Sequence, residues 1–368
     1  MELQRLVVKL GTSLLTGGME RLDLTVMSSL VGQVAALHSQ GREVIIVTSG
    51  AVTAGRQVLD MDPERKDTSF KQVLAAVGQS RLMNAYEQLF SWHSITVAQA
   101  LLTRADLAHR ASYLNARNTI LALLELGVVP IINENDVVAA EELEGATFGD
   151  NDNLSAMVAS LVDAELLAIL TDTPGLCTAD PHLDPRACLI ATVEHIDERI
   201  EALALGSAGS GIGGMATKVQ AAKLATAAGV TVVVADGREP GVLPRLVAGD
   251  SVGTRFVPTA SRVEGRHRWL LASRTKGSLR VDDGAAHALA QDNKSLLPVG
   301  IKGVEGDFQR GEVVSIKNGR GKRIACGIVN YSAHELSLIR GAHSKKISAT
   351  LGYEYGAEVM DRNNMVLL

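Results

Sequence analysis

Two lysines far apart in the chain, Lys9 and Lys218, stand where a phosphate group would find them. Lys9 follows the apolar run Leu6-Val7-Val8 and precedes Leu10, Gly11, Thr12 and Ser13. A strand that ends this way aims a cation and several backbone N–H groups at one point, which is what a phosphate requires. Taken alone, the octamer is better read as a buried strand with a snorkelling lysine at its end; the later stretches shift the balance. Lys218 closes the stretch Gly209-Ser210-Gly211-Ile212-Gly213-Gly214-Met215-Ala216-Thr217-Lys218, which opens a helical pattern. Its glycines let backbone wrap a phosphate, and a lysine on the first helical turn adds to the positive helix N-terminus. Gly209, Gly211 and Gly214 spell G-x-G-x-x-G, but the residues before them, 194–205, read as helical, and the dinucleotide fingerprint requires a strand there. No Gly-Lys-Ser/Thr follows the run, so it is not a Walker A loop.

Four further stretches carry chemistry, three of them at the ends of apolar segments. Ser49-Gly50-Ala51 follows Glu43–Thr48, with a hydroxyl and a glycine that permits close approach of a ligand. Asn133-Glu134-Asn135-Asp136 follows another apolar run and suits a small polar substrate with an ammonium group, although Asx turns in a solvated loop give the same pattern. Gly149-Asp150-Asn151-Asp152-Asn153 holds more acidic and amide residues than a single helix cap needs. That surplus suggests substrate binding, or a carboxylate that positions lysines or a metal. Its spacing fails the EF-hand pattern. Thr171-Asp172-Thr173-Pro174-Gly175 is a polar strand end followed by turn residues, placed to hold a nucleotide or simply to turn the chain. No Ser-His-Asp arrangement, HExxH motif or Cys/His cluster accompanies them. Phosphoryl transfer needs little covalent help; it needs positioning and positive charge, usually with Mg²⁺.

The elements that must position these residues follow from hydrophobic pattern. Strands are expected at 5–10, 43–48, 95–102, 128–133, 165–171 and 230–235, and helices near 23–39, 70–91, 112–126, 153–163 and 216–228. Strand–helix alternation with continuous Val/Ile-rich strands implies an α/β fold with a largely parallel sheet covered on both faces. Ligands bind beyond the carboxyl ends of such strands, where the polar stretches lie. The 368 residues, 46% apolar and 21% charged, suit two or three domains. No apolar run reaches membrane-spanning length, and no leader pattern opens the chain. Cys177, Cys188 and Cys326 are scattered, which points to a reducing cytoplasm; Cys188 and Cys326 read as buried packing residues. The net charge of −5 hides an asymmetry: residues 262–368 carry 17 Lys+Arg and 11 Asp+Glu, a balance of +6, on an acidic body.

The set Val7–Ser13, Val47–Ala51, Asn133–Asp136, Gly149–Asn153, Leu170–Asp172 and Gly213–Lys218 resembles the bacterial glutamate 5-kinases of the amino acid kinase family, in that family's order and through nearly the whole chain. The resemblance implies ATP-dependent phosphorylation, with Mg²⁺, of the side-chain carboxylate of L-glutamate to L-glutamyl 5-phosphate, the first step of proline biosynthesis. It implies that Lys9 and Lys218 stabilise the transferring phosphoryl group and that Asp152 orients them. Ser49, Asp136 and Asn151 would hold glutamate. Lys9, Thr171, Asp172 and the loop Ile212, Gly213, Gly214, Met215, Ala216, Thr217 and Lys218 would hold ATP. A protein-bound metal cluster is not implied. Inhibition by proline and a homo-oligomer (dimer or tetramer) follow from the same resemblance; the cytoplasmic location expected is the one the scattered cysteines point to. Two positions depart from the pattern: Thr173-Pro174-Gly175-Leu176-Cys177 where a Gln-Lys-Gly-Leu-Tyr type is commoner, and Ile212 where threonine is common.

The C-terminal piece reads as short strands and turns and resembles a PUA domain, a small β-rich barrel. The organisation expected is a kinase domain at 1–260, a linker at 261–274 and a PUA-like domain at 275–368. PUA domains bind RNA in other proteins, which the local charge of +6 suits. The few aromatics for base stacking, Phe308, Tyr331, Tyr353 and Tyr355, favour a structural or regulatory role. Competing readings are a kinase of aspartate, acetylglutamate, carbamate or a nucleoside monophosphate, an RNA-binding or RNA-modifying protein, and, more distantly, a Rossmann dehydrogenase.

Overall fold

The computed structural model describes residues 3–59, 68–139, 151–179, 184, 186–205, 214–258, 275–292 and 294–368. They fall in two compact units, Met1–Leu107 with Arg117–Arg262, and Ala108–Ala116 with Val263–Leu368. The expected linker 261–274 lies outside the described residues.

The first unit is built on eight strands: β1 (Arg5–Leu10), β2 (Glu43–Thr48), β3 (Val97–Leu102), β4 (Val129–Glu134), β5 (Leu166–Thr171), β6 (Thr192–Val193), β7 (Thr231–Asp236) and β8 (Thr254–Phe256). They join in the order β3-β4-β2-β1-β5-β7-β8-β6. Only β7 and β8 pair antiparallel. The six strands read from the sequence form within two residues of their expected limits. The short pieces β6 and β8 carry too few residues for a periodic signal.

Ten helices of this chain segment are described: α1 (Thr12–Thr16), α2 (Leu24–Ser39), α3 (Ala51–Leu59), α4 (Thr68–Ser91), α5 (Arg104–Ala108), α6 (Arg110–Glu125), α7 (Asn151–Leu161), α8 (Glu198–Leu205), α9 (Met215–Ala227) and α10 (Val242–Ala248). Side chains alternate across a strand, and β1 uses both faces. Leu6, Val8 and Leu10 join a buried cluster with Leu30 and Val34 of α2 and Leu82, Tyr86 and Phe90 of α4. Lys9 points the other way, toward α7, which packs on β1 and β5, while α9 packs on β7 and against α7.

Helices α3 and α4 meet backbone to backbone. A Cβ at Gly78 would stand 1.8 Å from the Ala51 carbonyl oxygen, and one at Gly55 would stand 2.0 Å from that of Leu74. Neither position has room for a methyl group unless the helices separate. Gly78→Ala is therefore expected to cost about 3 kcal/mol, a fall of roughly 6–12 °C in the melting temperature. A thermal scan that finds no shift would show that the helices can part freely.

The second unit contains β9 (Gly277–Val281), β10 (Ile301–Gly306), β11 (Val313–Lys317), β12 (Arg323–Ile328) and β13 (Met365–Leu367) in a mixed sheet of order β10-β9-β11-β12-β13. It also carries α11 (Asp283–Ala290), α12 (Ala333–Ile339) and α13 (Ile347–Leu351). Helix α12 begins with a capping box: the Ser332 hydroxyl accepts from the Glu335 N–H, and the Glu335 carboxylate accepts from the Ser332 N–H. Phe308 and Tyr331 are buried in this unit's core, so of the four aromatics counted for base stacking only Tyr353 and Tyr355 are exposed. Cys326 is buried as expected; Cys188 is exposed. Its apolar neighbour Leu189 forms only an isolated bridge with Cys177 rather than joining an interior strand, so the run is not packed on both sides.

Candidate active site

The site lies at the carboxyl ends of β1, β2, β4 and β5. Lys9 is the fifth residue of β1, in register with Val47 of β2 and Ile169 of β5, and so sits inside the sheet with 6% of its surface exposed. Its ammonium group lies 2.6 Å from Asp152 Oδ1. The other carboxylate oxygen, Oδ2, accepts a 2.7 Å hydrogen bond from the Thr217 hydroxyl and lies 3.4 Å from Lys218 Nζ. One buried carboxylate thus holds a strand-borne lysine on one side and a helix-borne lysine on the other.

The electrostatics follow from that geometry. Burial by itself raises the Asp152 carboxyl. The charges of Lys9 and Lys218, with hydrogen bonds from Lys9 and Thr217, outweigh it and hold the group below the ordinary carboxylate value. Burial lowers Lys218, Asp152 raises it and Lys9 lowers it again; the net effect leaves the ammonium below the ordinary lysine value. An anion entering between the two lysines would relieve part of their mutual repulsion.

Helix α7 starts at Asn151, earlier than the sequence pattern suggested, so Asn151, Asp152 and Asn153 form its first turn rather than a loop before it. An acidic residue there is favoured by the helix dipole. Asn151 turns toward Thr48, Ser49 and Asn133. Its Nδ2 donates to the Thr48 carbonyl at 3.0 Å, to Ser49 Oγ at 2.9 Å and to Asn133 Oδ1 at 3.2 Å. Its Oδ1 is buried and accepts no hydrogen bond among the described residues, so it can receive a donor from a ligand. Ser49, Asn133, Asp136 and Asn151 line a cleft of about 390 Å³ with Thr12 and Arg56. Gly50 has φ +105°, a backbone state that favours glycine, and from it the chain enters α3.

The residues expected from the resemblance to hold ATP gather at β5 and α9. The Thr171 hydroxyl donates to its neighbour Asp172 at 3.1 Å, and Asp172 is exposed. Gly214 caps α9, followed by Met215, Ala216, Thr217 and Lys218. Ile212 and Gly213, with Gly149 and Asp150, lie outside the described residues. One expectation needs correction. The Gly11 N–H after Lys9 is not open to a ligand: it donates to the Leu170 carbonyl at 3.3 Å. The N–H groups of Thr12 and Ser13, in the first turn of α1, have no intrahelical acceptor instead.

Several contributors gave no signal in the sequence. Gln79 of α4 accepts from Asn133 Nδ2 at 2.7 Å and donates to Gln99 at 3.1 Å. Tyr86, fully buried, shares a 2.7 Å hydrogen bond with Thr48. Glu20, Arg56 and Lys71 line the cleft. All of them lie within helical or loop patterns where a polar residue is ordinary.

A model of the amino acid kinase family matches residues 4–236, and one of the PUA domain matches residues 277–351. The chain is 53% identical to glutamate 5-kinase of Dehalococcoides mccartyi (strain CBDB1), over 99% of this chain and 98% of the relative. It is 54% identical to glutamate 5-kinase of Herpetosiphon aurantiacus, over 98% of each. With that of Klebsiella pneumoniae it shares 49% identity over 100% of this chain and 99% of the relative. No described helix is long and apolar enough to cross a membrane. With two lysines gathered on one buried carboxylate at the strand ends, and with similarity running almost end to end, the chain belongs to the amino acid kinase family, among the glutamate 5-kinases that carry a PUA domain.

Proposed function

We propose that this chain transfers the γ-phosphoryl group of ATP to the side-chain carboxylate of L-glutamate, yielding L-glutamyl 5-phosphate and ADP, the first step of proline biosynthesis. The observation that carries the reading is Asp152 bound to both Lys9 and Lys218, one helical position from Asn151, which lines the cleft. The acceptor is an ionised carboxylate at neutral pH, so no general base is needed. What the reaction needs is charge compensation: two carboxylates belong to the acceptor, and the transferring group is itself anionic. Lys9 and Lys218 supply it at the reacting oxygens, and Asp152 keeps both ammonium groups aimed. Ser49, Asp136 and Asn151 hold glutamate, with Asp136 facing the ammonium group and the cleft cations Arg56 and Lys71 matching the second carboxylate. Thr171, Asp172 and the segment Ile212–Lys218 hold ATP.

ATP reaches such sites as its magnesium chelate, whose metal draws most ligands from phosphate and water and neutralises phosphate charge. Asp172, exposed just beyond the end of β5, would offer that metal a hard carboxylate oxygen. The same reading takes in inhibition by proline, a homo-oligomer, a cytoplasmic location, a kinase domain at 1–260, a linker at 261–274 and a PUA-like domain at 275–368. For that last domain a structural or regulatory role is favoured over RNA binding.

ADP release from magnesium ATP should depend on L-glutamate, and added hydroxylamine should trap the acyl phosphate as a hydroxamate. Faster turnover of aspartate or acetylglutamate would replace glutamate as the substrate. Turnover without hydroxamate would rule out a carboxylate acceptor.

A further inference from the structure

Arg238 stands at the nucleotide end of the sheet. Strand β7 ends at Asp236, and the next residue, Gly237, donates its N–H to the Thr171 carbonyl at 2.8 Å, tying the end of β7 to that of β5. A Cβ at Gly237 would come 2.4 Å from Leu14 Cδ2 and 3.1 Å from Leu170 Cβ, so a side chain there would force the buried Leu14 to move. Arg238 then folds back over the strand ends. Its Nε donates to Asp236 Oδ1 at 2.9 Å, and its Nη2 donates to Asp236 Oδ2 at 2.6 Å and to the Asp172 carbonyl at 2.6 Å. The guanidinium is therefore held on one edge by three anchors. Its side chain is 55% exposed, and its Nη1 makes no hydrogen bond among the described residues.

The order β1-β5-β7 puts Lys9, Asp172 and Arg238 at successive strand ends, spaced by about 4.8 Å per strand. Asp172 interacts electrostatically with Lys218 on one side and Arg238 on the other. A nucleotide whose γ-phosphoryl group rests at Lys9 and Lys218 must lead its other phosphates away from them. The residues after Asp172, Thr173 and Pro174, bring no charge to meet those phosphates. Thr173 Oγ1 is buried without a hydrogen-bond partner among the described residues. A pre-oriented guanidinium with an open N–H edge is well matched to phosphate oxygens.

We propose that Arg238 is a nucleotide-binding residue whose Nη1 edge contacts a non-bridging oxygen of the diphosphate of ADP or ATP, Asp236 and the Asp172 carbonyl holding the guanidinium in place. The inference rests on the kinase reading above. The alternative is that Arg238 only staples the turn between β5 and β7.

The test is competitive inhibition of the full-length enzyme's turnover by ADP and by adenosine, in the wild type and in Arg238→Met and Arg238→Lys. A phosphate contact predicts that Arg238→Met raises the inhibition constant of ADP about tenfold and leaves that of adenosine within about twofold. Arg238→Lys should fall between, because it keeps the charge and loses the fork. The KM for glutamate should not change. Equal weakening of ADP and adenosine would show a turn staple, and no weakening of either would show a bystander; both overturn the proposal. A wild-type chain without glutamate-dependent ADP release would overturn the kinase reading itself, and this is seen before any variant is made.

Discussion

Replacing Lys218 with alanine is expected to lower kcat by about 10²- to 10³-fold, ~3 kcal/mol or more of transition-state stabilisation. The ammonium group is nearly buried and lies 3.4 Å from Asp152, so it is preorganised and works in a medium that screens it poorly. Its charge is needed most when negative charge spreads over the transferring group, and less in the ground state. The loss should therefore appear in kcat, with the KM for glutamate changed little. Lys218→Arg should not restore the rate, since a forked guanidinium does not fit a buried slot shared with Thr217 and Lys9. Because burial and Lys9 bring the Lys218 ammonium below the ordinary lysine value, wild-type kcat should decline on the alkaline side earlier than an ordinary lysine would allow. Steady-state kinetics across pH measures both effects. A defect confined to the KM for glutamate would reassign Lys218 to substrate binding.

Asp152→Asn carries the second large effect, on stability and rate together. The substitution keeps shape but removes the one negative charge between two buried ammonium groups. Breaking a buried pair from one side typically costs ~3–5 kcal/mol. Here two cations are left facing each other, and the rate should fall because neither is aimed. The pH dependence separates this from simple loss of packing. In the folded protein, against the opposing effect of its burial, the charges of Lys9 and Lys218 hold the Asp152 carboxyl below the ordinary carboxylate value. A depressed carboxylate contributes stability that is present above the unfolded value and lost as pH falls through the folded one. The wild type should therefore lose stability progressively below about pH 4, and Asp152→Asn should lose less over that range. Denaturant melts at neutral and acid pH give the comparison. Parallel profiles for the two proteins would mean that Asp152 is not the stabilising carboxylate.

Most of the strands were readable because they are apolar runs ended by a polar or glycine residue, as buried parallel strands are; β3, with Gln99 in its middle, is only half-buried. Lys9 and Lys218 could be picked out because each stands beside glycines and backbone N–H groups suited to phosphate, and the stretch Gly149–Asn153 because it holds more acidic and amide residues than a cap needs; Asp152 within it was singled out by the family resemblance. The same signals failed where packing rather than pattern decides. Cys188 sits in an apolar run as good as that of Cys326, yet only Cys326 lies within an interior strand. Gln79 and Tyr86 look like ordinary helix residues until the fold sets them beside Asn133 and Thr48.

By itself the sequence determined the strand–helix order, the end of the sheet at which the polar stretches gather, and the residue types available for phosphoryl transfer. These are local properties: hydrophobic periodicity and turn chemistry act over a few residues. Only the tertiary structure set the distances at which Asp152 holds Lys9 and Lys218, turned Asn151 toward Ser49 and Asn133, and anchored Arg238 on Asp172. Those pairings join residues 66 or more positions apart, except for Asn133 and Asn151, which are 18 apart and on different elements. Their distances depend on strand register and on how helices pack across the sheet, neither of which a local pattern encodes.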